Sequence, residues 1–237
     1  MAQFFTQLQE NLSFVLITVL IAAGLGLGAK ASERLLPHTR QVTKARRICI
    51  IAICGAIAAI LHMLDFPLLF LAPEFYKLDF SELPVMLCGF YLGPSATVLC
   101  EIVKIFIKLM FKSTSTAFVG DFANFVVGCT MVLPAVFIYH AHKSRHSAIA
   151  GLVAGTLCMS IFGSLFNAVY LLPKFSQLYD LPLDAIIAMG SKINANIQSL
   201  TTFVALAVAP LNLVKGTLVS ILTLLLYKKV ARPLLGK

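Results

Sequence analysis

Apolar stretches of about the length that crosses a bilayer recur from one end of this chain to the other, and they leave little choice of fold. They lie at about residues 12–28, 47–64, 81–92, 95–111, 118–139, 147–171 and 202–227. A helix needs roughly 20 apolar residues to span about 30 Å of hydrocarbon. Only 81–92 falls far short, so that stretch is expected to be tilted, partly re-entrant or extended into the preceding loop. With 59% hydrophobic and 12% charged residues and a mean hydropathy of +0.91, a water-soluble fold would lack the polar surface to cover itself. The expected class is an all-α, multi-pass membrane bundle with the lipid bilayer as its solvent.

Charge placement orients the bundle. No Lys or Arg precedes the stretch beginning at Leu12, whereas Lys30 and Arg34 follow it, the reverse of a secretory signal. The first helix is therefore read as uncleaved, with its N-terminus outside. The next loop carries Lys30, Arg34, Arg40, Lys44, Arg46 and Arg47 against Glu33 and is cytoplasmic by the positive-inside rule. Alternation puts the loop at 65–80 outside and Lys143, Arg145, Lys228, Lys229, Arg232 and Lys237 inside. Lys104, Lys108 and Lys112 break this pattern, being spaced four apart on one helix face that approaches the outer side. They snorkel outward, line a polar face of the bundle, or show that the third and fourth spans are misplaced. The net charge of +9 is accounted for mainly by cytoplasmic anchors and gives no reason to expect a nucleic-acid partner.

Several chemistries find no support in the residues. The six cysteines are scattered through apolar stretches without a CxxC pair, and the five histidines make no HExxH, so no metal is expected. Neither a phosphate-cradling glycine loop nor a GxSxG elbow is present. The chain is thus read as a non-enzyme that needs no cofactor, its driving energy coming from a partner or a gradient.

Polar residues inside the apolar stretches are the candidate functional groups. Asn212 and Lys215, three apart in the last stretch, share a helix face just after Pro210. A lysine near mid-membrane costs about 2.5–3.5 kcal/mol on insertion scales and usually lines a cavity or a path. Asn167 lies toward the outer end of the preceding stretch, and Asp121 and Asn124, also three apart, open the one before it. Together they point to a pocket open to the exterior. Asparagines in membrane helices also serve simply to bridge helices, and Asp121 has the alternative of pairing with a lysine. On 47–64, Ala52 and Ala56 form one small-residue strip and Gly55 and Ala59 another. Such a face suits close approach of a partner helix or packing within the bundle.

Five runs taken together carry a family likeness: Tyr76-Lys-Leu-Asp-Phe-Ser-Glu-Leu-Pro84, Gly89-Phe-Tyr-Leu-Gly-Pro94, Gly120-Asp-Phe-Ala-Asn-Phe-Val-Val-Gly128, Asn167-Ala-Val-Tyr-Leu-Leu-Pro173 and Ala209-Pro-Leu-Asn-Leu-Val-Lys-Gly216. Over about residues 48–229 the chain resembles the substrate-binding S components of energy-coupling factor (ECF) vitamin transporters, most of all the riboflavin-specific ones. The resemblance implies a six-helix vitamin-binding domain, 47–237, to which 1–46 adds an extra N-terminal helix and basic loop. It implies riboflavin or FMN as ligand, and as partners a membrane coupling protein and two cytoplasmic ATPases. Asn167, Asn212 and Lys215 match residues that hydrogen-bond the isoalloxazine edge, a role suited to amides and an ammonium. Lys77, Leu78, Asp79 and Phe80 resemble the end of a capping loop, with Leu78 and Phe80 as expected apolar contacts. Asp121 departs from the glutamate of many relatives. The alanine-rich face with Ala52, Gly55, Ala56 and Ala59 is the implied docking surface. The alternatives are an S component for another flat heterocycle, a small ion-coupled transporter using Lys215 as a relay, and, least favoured, a membrane enzyme.

Overall fold

The computed structural model describes residues 12–36, 42–112, 114, 116 and 118–235; His38, Arg40 and Lys237 lie outside them. Each apolar stretch read from the sequence coincides with a helix: α1 (Leu12–Glu33), α2 (Lys44–Met63), α3 (Glu82–Leu92), α4 (Pro94–Phe111), α5 (Val119–Ala141), α6 (Arg145–Phe166) and, after a short helical entry, the long α10 (Ala209–Leu235). Among the described residues, four helical runs are long and apolar enough to cross a membrane, namely Lys44–Met63, Val119–Ala141, Arg145–Leu178 and Leu200–Tyr227.

The short stretch does not extend into the preceding loop. Helix α3 has 11 residues, and all but Leu87 are buried. It is apolar nearly all round because it is surrounded by protein, and a helix that meets no lipid need not match the bilayer. Its side chains Met86, Phe90 and Leu92 form the main core with Met131 and Val132 of α5, Leu152 of α6 and Val219 of α10. The α3–α4 corner turns on Gly93, whose φ of 106° favours glycine, and Pro94 then occupies the first turn of α4, where a missing N–H costs nothing.

Two prolines shape the helices that bear the candidate asparagines. Pro173 and Pro210 lack the N–H that would bond four residues back, and each follows a widened π-helical turn, Asn167–Leu171 and Val204–Val208. Beyond the first turn come two short helices absent from the sequence reading, α7 (Leu172–Leu178) and α8 (Leu183–Ser191). Then α9 (Leu200–Phe203) opens with a Ser199–Thr202 capping box. The 65–80 loop is closed by a two-residue hairpin, Phe66 opposite Leu78 and Pro67 opposite Lys77. Ala72, Leu68 and Tyr76 of that loop pack against Leu172, Ile186 and Phe203, so loop, α7, α8 and α9 form one cap.

Helix α1 lies against α4 and α5, with Ala29 buried beside Val98 and Phe125. Its end is clasped by polar contacts. The Ser95 N–H and Oγ donate to Glu33 at 2.9 and 2.7 Å, and Arg47 donates to Ser95 Oγ at 2.5 Å. The small-residue face of α2 divides. Ala59 is fully buried, and a Cβ on Gly55 would collide with Val103 of α4, so that strip packs within the bundle. Ala52 is exposed and Ala56 half-buried.

Candidate functional site

A cavity of about 610 Å³ opens beneath the cap, bordered by α2, α3, α4, α5, the Asn167 turn and α10. Asn167, Asn212, Lys215, Asp121, Asn124, Lys77 and Asp79 all border it, so residues read from distant parts of the sequence are brought together. Leu78 and Phe80 are not among its lining residues. The pleat of the hairpin turns Leu78 inward, where it is 1% exposed, and Phe80 packs on the main core with its ring 6.2 Å from Phe66. Apolar lining comes instead from Phe75, Val127, Leu171, Phe175 and Leu211.

Lys215 is held between carboxylates, its Nζ 3.0 Å from Asp79 Oδ2 and 3.0 Å from Glu82 Oε2. Burial alone would raise the Asp79 carboxyl, but the Lys215 ammonium and the His62 imidazole outweigh it and hold that carboxyl well below the usual range. Asp79 Oδ1 meanwhile accepts from Ser81 N–H at 2.8 Å, fixing the loop at the entry to α3. Behind Glu82, the fully buried Lys104 lies 3.3 Å from Glu82 Oε1 and 2.6 Å from Glu101 Oε2.

Lys104 and Lys108 of α4, with Lys112 just beyond its end, therefore line a polar face. Lys108 pairs with Asp121 at 2.5 Å and Lys112 with Asp65 at 3.7 Å. Each finds its carboxylate on a different element. None of these pairings changes the helix register, and the third and fourth stretches stand where the sequence placed them.

Asn167 is occupied on both sides of its amide. Its Nδ2 donates to Gly163 O at 2.7 Å, and its Oδ1 accepts from the Tyr76 hydroxyl at 2.6 Å. Asn212 Nδ2, Asn124 Oδ1 and Asp121 Oδ2, by contrast, are buried without hydrogen-bond partners. Leaving a polar group so costs about 1–3 kcal/mol each, so a ligand offering both donors and acceptors would relieve it. Asn212 is set by close packing, since a Cβ on Gly163 would come within 2.7 Å of its Nδ2.

Sequence reasoning passed over Tyr76, His62, Glu82, Glu101 and Lys104 as site residues. A signal existed for Glu82 and Glu101, each a lone carboxylate in an apolar helix, and for Lys104 three residues after Glu101. Tyr76 heads one of the five runs, but its partner lies 91 residues away, beyond the reach of any spacing argument. Among the described residues no cluster of His, Cys, Asp and Glu is arranged to hold a metal ion.

Comparison with known proteins adds an independent line. Residues 46–227 match the family described as "ECF transporter, substrate-specific component". A Staphylococcus aureus (strain TCH60) protein named Riboflavin transporter RibU is 34% identical over 186 residues, 78% of this chain and 90% of that protein. A Bacillus subtilis (strain 168) protein named Riboflavin transporter FmnP is 27% identical, over 78% of this chain and 92% of its own length. A solved structure of the S component of a bacterial ECF transporter superposes with a TM-score of 0.64 at 32% identity, covering 81% of this chain and 99% of that one. The matched region begins at residue 46, after α1.

Proposed function

Because this chain belongs to the ECF transporter substrate-specific components, we propose that it captures riboflavin in the cavity beneath the cap and delivers it inward when coupled to ATP hydrolysis by other chains. One observation carries the reading. Within about 610 Å³, flat apolar and aromatic walls meet buried polar atoms of both hydrogen-bonding senses that have no partner. A flat heterocycle with a mixed donor and acceptor edge and a hydroxylated tail meets that demand. Asn212 and Lys215 bond the ring edge, Asn167 joins them once Tyr76 yields its oxygen, and Asn124 and Asp121 take donors from the tail. Lys77 and Asp79 belong to the closing loop. No bond in the vitamin is made or broken, so the protein is a carrier and not an enzyme.

The cap faces outward and the C-terminus lies in the cytoplasm, with the N-terminus of α1 outside. The partners are a membrane coupling protein and two ATPases, and docking uses the outward strip of Ala52 and Ala56. Helix α1 is an addition to the six-helix domain that begins near residue 47.

FMN is the second reading, favoured by one feature. Lys77 and Lys112 share the single carboxylate Asp65, at 3.3 and 3.7 Å, which leaves positive charge at the cavity mouth. The test is an absorption spectrum of the detergent-purified protein, followed by titration of the ligand-depleted sample with riboflavin and then FMN. Flavin bands or saturable quenching support the reading. A colourless protein indifferent to both sinks it.

A further inference from the structure

Helix α4 presents an exposed apolar strip between α1 and α2. On one flank Val98 and Ile105 of α4 cluster with Ala22, Leu25 and Ala29 of α1. On the other, a Cβ on Gly55 of α2 would meet Val103 and the Cys100 carbonyl. At about 100° per residue, Leu99, Ile102 and Phe106 fall between those flanks. They are 48%, 38% and 61% exposed, and so form the apolar floor of a trough walled by α1 and α2.

The floor ends at Ser95, four residues before Leu99 and on the same face. There the walls meet, because Ser95 donates to Glu33 at the end of α1 and Arg47, in the first turn of α2, donates to Ser95 Oγ. This end lies opposite the cap, since Lys112 beyond the other end of α4 reaches Asp65 of the capping loop. Positive charge gathers at the same place. Residues 30–47 carry six Lys and Arg and a single acid, Glu33. Lys30, Arg34 and Lys44 are exposed. Arg47 is 31% exposed, and a guanidinium has donors beyond the one that reaches Ser95.

We propose that this trough binds an anionic phospholipid, with its phosphate at Arg34, Lys44 and Arg47 and an acyl chain along Leu99, Ile102 and Phe106. Two demands single out that occupant: the floor requires hydrocarbon and the closed end requires negative charge. Free phosphate would meet the charge and leave the floor bare, and a zwitterionic lipid would bring its own cation to a basic cluster. The dimensions agree. From Ser95 to Phe106 the helix rises about 16 Å, roughly half of a 30 Å hydrocarbon core and so the depth of one leaflet. Arginine forks suit phosphate, and basic pockets between membrane helices are a recurrent form of headgroup site. Helix α1 supplies one wall and part of the charge, so the site depends on a helix that precedes the family match at residue 46.

The chain has no tryptophan, which allows a direct test on the full-length protein. Ile102→Trp puts a single indole on the floor of the trough, and Val153→Trp puts one on exposed surface of α6, eight residues from Arg145. Each variant is reconstituted in phosphatidylcholine vesicles with increasing brominated phosphatidylglycerol, or brominated phosphatidylcholine in its place, and quenching gives the relative affinity of the two lipids at each indole. Ile102→Trp is expected to prefer phosphatidylglycerol at least about fivefold, the effect of one well-placed cation, and Val153→Trp to stay within about twofold. Adding Arg34→Gln and Lys44→Gln to Ile102→Trp should bring its preference down to that of Val153→Trp. Equal preference at the two positions would reflect general attraction to a basic surface and overturns the proposal. A preference that survives loss of the two cations also overturns it, as does an indole quenched by neither lipid, which would mean that protein fills the trough. Should Ile102→Trp fail to fold, native mass spectrometry of the wild-type protein released from mixed phosphatidylglycerol and phosphatidylcholine nanodiscs decides. Retained phosphatidylglycerol that is lost with Arg34→Gln and Lys44→Gln supports the site, and equal retention of both lipids overturns it.

Discussion

Replacing Lys215 with methionine tests the site most directly, provided its two effects are separated. The ammonium sits 3.0 Å from each of two buried carboxylates. Breaking a buried pair by removing one partner costs about 3–5 kcal/mol, because the carboxylates left behind repel each other and remain desolvated. Lys215→Met is therefore expected to lower the melting temperature of the detergent-solubilised protein. It is also expected to weaken riboflavin at least tenfold, or about 1.4 kcal/mol, through loss of a charged donor. A drop in affinity alone would not tell contact from unfolding.

The double variant Lys215→Met with Asp79→Asn makes that distinction. It removes one positive and one negative charge, and an asparagine Oδ1 still accepts from Ser81 N–H as the carboxylate does at 2.8 Å. Much of the lost melting temperature should return, while affinity, measured by quenching of flavin fluorescence, stays at least tenfold down. If affinity returned with stability, Lys215 would act through the fold and not by touching the ligand. If Lys215→Met bound as well as wild type, the lysine would leave the site altogether.

Gly163→Ala places a methyl against Asn212 Nδ2 and should weaken riboflavin several-fold with little change in melting temperature; an unchanged Kd would take Asn212 out of the contact set. Ala56→Phe, on the half-buried strip of α2, should leave binding by the isolated subunit intact and abolish vitamin uptake in cells, and loss of binding instead would assign Ala56 to internal packing. Glu33→Ala removes the acceptor for Ser95 N and Oγ, costing about 1–3 kcal/mol in the docking of α1. Because α1 contributes nothing to the cavity wall, thermal melting should show the loss while the riboflavin Kd stays within about twofold; a larger change in Kd would show that α1 acts on the site.

What could be read from the sequence divides along a physical line. Helices were legible because a backbone in lipid must satisfy its own hydrogen bonds, so every long apolar run reads as a helix. The interior position of α3 was not, since Met86 and Leu92 look the same whether they face lipid or protein; only its 11-residue length hinted at burial. Helices α7 and α8 escaped for the opposite reason, lying in short mixed segments around Pro182 and Asp180 with no sustained apolar run. Asn212, Lys215, Asn124 and Asp121 were legible in pairs because i,i+3 spacing fixes a shared face without knowledge of the fold.

Which partner each charge takes is a property of the assembled bundle. Lys104 and Lys215 come from helices far apart in sequence, yet both reach Glu82, at 3.3 and 3.0 Å. Glu82 is thus the pivot of the site. One oxygen is held by a lysine deep in the protein and the other by a lysine at the cavity wall, so a ligand that shifts Lys215 alters a charge network extending to Glu101 on α4. That helix packs directly on α2, whose outward strip carries Ala52 and Ala56, and a Cβ on Gly55 of α2 would collide with Val103 of α4. A path from the cavity to the proposed docking strip would run from Lys215 to Glu82 of α3, from Glu82 to Lys104 and Glu101 of α4, and from α4 to α2. Glu101→Gln should weaken the Lys104–Glu101 step while touching no ligand. Unchanged riboflavin affinity with slowed uptake is the outcome this path requires, and uptake equal to wild type would break it.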